Sequence, residues 1–146
     1  MISGILRSSF ISLGVACTLQ FLFAQIQSTF VFDFLKSNIT NLQVALLAVN
    51  AATLGIVLTK IREIIDETGA REKFESTRQE MMLSIKEQVT LIGASLLIIS
   101  LATAKTPPIH FPDELYQALL LTSFIYSLLI LYDTAKSVFV LLYYEP

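Results

Sequence analysis

The chain is poor in the residues from which catalytic and metal sites are usually built. It holds one cysteine and one histidine. Cys17 sits alone inside an uncharged stretch, so neither an intrachain disulfide nor a cysteine metal cluster can form. His110 lies in a proline-flanked turn with no cysteine or carboxylate cluster at ligand spacing, which makes it a loop residue rather than a metal ligand or general base. Glycine is sparse too, with 5 residues, none of them arranged as a phosphate-cradling loop. The sequence therefore points away from an enzyme and calls for no cofactor and no metal.

Charge is the other scarcity. Over 146 residues, 15% are charged against 54% hydrophobic, and the mean hydropathy of +0.68 exceeds what a soluble fold usually carries. Four stretches hold almost all of this apolar character: residues 8–32, 39–59, 86–104 and 115–132. Each approaches or exceeds the ~20 residues that cross a hydrocarbon core of about 30 Å. The first is too long for the apolar core of a secretory signal peptide, about 7 to 15 residues, and no clean small-residue cleavage site follows it. The third is short, but Met81, Met82, Leu83 and Ile85 extend its pattern backwards and Lys86 can snorkel to the headgroups. The uncharged runs contain no ionisable relay group at depth, and no inverted repeat is visible, which excludes the usual make-up of a proton-coupled transporter.

Local signals set the expected boundaries. Ser37 and Asn38 are candidate N-caps for the second span, and Pro107-Pro108 stops the third. Pro112 with Asp113 and Glu114 suits the first turn of a fourth helix, where carboxylates meet the positive end of the helix dipole. Arg7, Lys60, Arg62, Arg71, Lys73, Arg78, Lys86 and Lys136 fall on one side of a four-span arrangement, and only Lys36 and Lys105 on the other. Both termini and the segment 60–87 are thus expected in the cytosol, the chain being a multi-pass protein of an inner or plasma membrane.

Within 60–87, Ile61, Ile64 and Ile65 continue the second span as an amphipathic helix, and Gly69 breaks it. Phe74, Met81, Met82 and Ile85 mark a second stripe leading into the third span. The expected fold is all-α: one domain over residues 1–146, a four-helix membrane bundle with helices 2 and 3 extended into a cytosolic helical hairpin. The hairpin's six cations and seven acids interleave, Glu75 with Arg78 being spaced to attract. Either this is a solvated face, or Arg71, Lys73 and Arg78, clustered after the break, hold a phosphate-bearing ligand by charge-assisted hydrogen bonds.

The spans lack charge but not polarity. Ser9, Ser12, Ala16, Gln20, Ala24 and Gln27 follow steps of three or four along the first helix. An amide in hydrocarbon needs a partner, so this stripe should face another helix or water. Gln43 and Asn50 share a face of the second span, Gly55 stands four residues from Ala51, and the third span carries Thr90, Gly93 and Ser100. Small and polar residues at these spacings pack helices closely. The functional alternative is that Ser9, Ser12, Gln20 and Gln27 line a pore on the axis of a homo-oligomer, with Phe10 near a gate.

This plan of four spans and a charged water-facing hairpin resembles the small membrane effectors of bacterial anti-phage defence systems, over the whole chain and by architecture. The resemblance implies a homotetramer or similar ring, held shut at rest and opened when a nucleotide, oligonucleotide or partner protein engages the cytosolic hairpin. Two functions follow as expectations: a gated homo-oligomeric channel or pore-forming effector, or a non-conducting membrane anchor or accessory subunit that binds a partner through the hairpin.

Overall fold

A computed structural model describes residues 2–69, 74–104 and 112–142, and every element among them is a helix. In chain order these are α1 (Ile2–Gln25), α2 (Phe30–Thr68), α3 (Glu75–Thr103) and α4 (Asp113–Leu142). All four contain stretches long and apolar enough to cross a membrane.

The first turn of the chain departs from the pattern of charges. The uncharged run 8–32 is not one helix: α1 ends at Gln25 and α2 starts at Phe30. Ser28 N–H donates to the Phe23 carbonyl at 3.0 Å and Gln27 N–H to the Ala24 carbonyl at 3.2 Å. With Gln27 left-handed at φ 51, these bonds form the pair that closes a helix C-terminus. Ser37 and Asn38 are consequently not N-caps. They lie inside α2, Ser37 Oγ donating to the Asp33 carbonyl and Asn38 Nδ2 to the Phe34 carbonyl, each at 3.0 Å. Thr29 occupies the cap position without a side-chain bond, and Asp33 sits in the first turn of α2. The earlier start is favoured by burial, since Phe32 and Leu35 pack with Ala16 of α1 and Leu121 of α4.

Other boundaries match local chemistry. Gly69 ends α2 in the left-handed conformation, φ 69, with its N–H on the Ile65 carbonyl at 2.8 Å; glycine has no Cβ to strain there. Pro112 supplies the carbonyl that opens α4, accepting from Leu115 N–H at 3.0 Å, and Asp113 and Glu114 occupy the first turn. The Pro107-Pro108 stop lies outside the described residues.

α4 is the hub, packing against α1, α2 and α3, while α2 and α3 also pack together. Met81, Gln88 and Ser95 are buried at seven-residue intervals along α3, the repeat of left-handed helix packing. Along α2 the buried stripe changes character twice. Phe32, Leu35 and Ile39 come first, then Gln43 and Asn50, then Leu54, Val57, Ile61 and Ile64. The last group forms a cluster with Phe74 and Met81, joined by Ile65, Ile85 and Val138. The segment after Asp133 thus both lengthens α4 and reaches the apolar stripe of α2 and α3.

Candidate functional site

The polar residues of the long helices form a seam through the bundle. At one level Gln43 Nε2 of α2 donates to Ser123 Oγ and Ser127 Oγ of α4, at 3.0 and 3.2 Å. Ser123 Oγ meets Ser95 Oγ of α3 at 2.7 Å, and Ser127 Oγ donates to the Ser123 carbonyl at 2.9 Å. At the next level Asn50 Nδ2 donates to Gln88 Oε1 at 2.8 Å and to Ser84 Oγ at 3.0 Å. Ser84 Oγ then lies 3.4 Å from Thr134 Oγ1 of α4. Each level ties α2, α3 and α4 together, and Gln43, Asn50, Gln88, Ser95 and Ser127 have no exposed surface.

Such bonds are directional where apolar packing in lipid is not, since lipid chains are as apolar as leucine and give helices little reason to associate. The seam therefore carries much of the specificity of this packing. It is not fully satisfied: Gln43 Oε1, Asn50 Oδ1 and Gln88 Nε2 find no hydrogen-bond partner among the described residues. Beside the seam, Tyr126 OH donates to Glu87 Oε2 at 3.3 Å, joining α4 to α3 by a half-buried carboxylate.

The α1 stripe is divided. Ser12 and Ala16 are fully enclosed, Ser12 Oγ donating to the Ser9 carbonyl at 2.9 Å. Gln20 Nε2 donates to the Glu114 carbonyl at the start of α4, 2.8 Å away. Ser9 and Gln27 keep open surface, and Phe10 is 71% exposed. Gln43 bonds α2 to α4, and Asn50 bonds α2 to α3. Gly55 and Gly93 do not join helices: both lie on outer faces, and a Cβ added at either meets nothing within 4 Å. Thr90 and Ser100 likewise turn back onto their own helix, bonding the Lys86 and Leu96 carbonyls.

Ser84, Gln88, Ser95, Ser123, Ser127 and Thr134 escaped the reading by span. Their signal was faint but present, with Ser123 and Ser127 four residues apart and Gln88 and Ser95 seven apart. On the charged segment, Lys60 pairs with Glu63 at 3.0 Å and Arg78 with Glu75 at 3.9 Å. Arg71 and Lys73 lie outside the described residues, so their grouping with Arg78 does too. Among the described residues no group of His, Cys, Asp and Glu could hold a metal ion.

These features define the class of the molecule, an all-helical bundle with four helices long and apolar enough to cross a membrane. Comparison with known protein families, characterised proteins and solved structures finds no match to this chain.

Proposed function

We propose that the protein is a non-conducting membrane anchor or accessory subunit, which holds a cytosolic partner through the outer ends of α2 and α3. The observation that carries this reading is the interhelical seam: Gln43 bonds Ser123 and Ser127, and Asn50 bonds Ser84 and Gln88, all within one chain. A conducting wall needs polar groups turned to water, whereas these are used to hold helices together. The 39 residues of α2 extend about 58 Å at ~1.5 Å per residue, well past a core of ~30 Å, and beyond a span over 39–59 the residues 60–68 reach about 13 Å further on the cytosolic side. With the basic residues favouring the cytosol, those ends are the natural handle for a partner.

A photo-crosslinking amino acid at Glu67 or Ser76, both exposed, should trap a cytosolic protein in cells, while the same probe at Phe10 traps none. Equal trapping at all three positions, or trapping at none, would remove the handle.

One observation favours a second reading, a gated homo-oligomeric pore of the kind the anti-phage resemblance implies. Phe10, Phe21 and Leu22 are all more than half exposed, so α1 has apolar surface to offer to other copies around an axis. Cys17 is exposed on α1 and reports this directly. Oxidation in native membranes should give disulfide-linked dimers if α1 helices gather on an axis, and monomers if they face lipid.

A further inference from the structure

The outer face of α3 carries a shallow depression of about 290 Å³ lined by Glu75, Arg78, Gln79, Met82, Leu83 and Lys86. Glu75 approaches Arg78 only to 3.9 Å, and their side chains are 49% and 58% exposed, a loose pair that leaves guanidinium donors for another anion. Arg78 and Lys86 are eight residues apart, about 12 Å along the helix. Both are long enough to converge on an anion above Met82, their stems lying on apolar surface.

Beyond Lys86 the same face loses all charge. At about 100° per residue, Val89, Gly93 and Leu97 lie beneath Lys86. Val89 is 52% and Leu97 67% exposed, and the space over Gly93 is open to at least 4 Å. The glycine is thus a notch between two apolar side chains. From Lys86 to Leu97 the groove runs about 16 Å, the depth of one leaflet of a ~30 Å core.

We propose that this face of α3 binds an anionic phospholipid, its phosphate between Arg78 and Lys86 and one acyl chain along Val89, Gly93 and Leu97. A second copy fits less well, because two-fold pairing through the same patch brings like cations together. The assignment rests on α3 crossing a membrane and is independent of whether the chain conducts or holds a partner.

The test is native mass spectrometry of the purified full-length protein with equal phosphatidylglycerol and phosphatidylcholine of matched chains. Phosphatidylglycerol should be retained several-fold over phosphatidylcholine. Arg78→Gln with Lys86→Gln should lower it to the phosphatidylcholine level, Lys86→Arg should preserve the preference, and Gly93→Leu should reduce retention of both lipids. Excess glycerol phosphate should displace neither. Equal retention of the two lipids, or a preference that survives charge removal, would overturn the site. Displacement by glycerol phosphate would assign it to soluble phosphates instead. Loss of a dimer on Gly93→Leu, with lipid retention unchanged, would assign the notch to a second copy.

Discussion

Asn50 Nδ2 donates to Gln88 Oε1 across 2.8 Å, and both side chains are wholly buried between α2 and α3. Each amide keeps one further polar atom without a partner among the described residues, Asn50 Oδ1 an acceptor and Gln88 Nε2 a donor. The pair is therefore strongly coupled, because losing either member leaves the other's polar groups with fewer partners. Asn50→Leu and Gln88→Met singly should each destabilise the bundle by about 1–3 kcal/mol. The double variant should cost less than the sum, since no stranded amide is left. Unfolding in mixed micelles, followed by circular dichroism, reads this coupling.

Gln27 and Gly69 share a backbone conformation, φ 51 and φ 69, but not a side chain. A residue with a Cβ costs about 1–2 kcal/mol there, and glycine avoids it. Gln27→Gly should accordingly raise stability, by up to about 1 kcal/mol after its unfolded-state entropy is counted. Gly69→Ala should lower it by about 1 kcal/mol. Thermal unfolding in detergent decides both, and signs that agree for the two variants would contradict the turn geometry.

Ile61 is 4% exposed in the cluster formed with Leu54, Val57, Ile64, Phe74 and Met81. If this end of α2 and α3 stands in water, burial there draws on the hydrophobic effect, and Ile61→Ala should cost about 2–5 kcal/mol. In lipid the same truncation would forfeit packing alone. Limited proteolysis of the segment 60–87 in sealed vesicles, compared between wild type and Ile61→Ala, should show faster cleavage in the variant.

Gln20 Nε2 donates to the Glu114 carbonyl within the chain, tying α1 to the start of α4. Gln20→Leu should lower stability by about 0.6–2 kcal/mol, the worth of one interhelical bond in a membrane, and leave partner crosslinking at Glu67 unchanged. Loss of crosslinking with the fold intact would tie α1 to partner binding.

Much of this architecture was legible because local chemistry decides it. The Gly69 stop, the Pro112-Asp113-Glu114 start, the apolar spacing of Ile61, Ile64 and Ile65 and the Glu75–Arg78 pair all appear where the sequence puts them. The turn after Gln25 was not, because Gln27 adopts a conformation that glutamine seldom signals, while Ser37 and Asn38, which read as N-caps, lie inside the continuous helix α2. The seam was half legible. Amides such as Gln43 and Asn50 announce a need for partners, but Ser95, Ser123 and Ser127 read as ordinary small residues until the helices are assembled. Gly55 and Gly93 misled for the converse reason, since small size permits close packing without requiring it.

The most direct test of a closed, non-conducting bundle is the current across planar bilayers containing the purified full-length protein, recorded in symmetric potassium chloride before and after adding cytosolic extract. The account predicts a flat baseline in both conditions, for wild type and for Gln20→Leu alike. Discrete, reproducible current steps in the wild type, changed in size by Gln20→Leu, would contradict it.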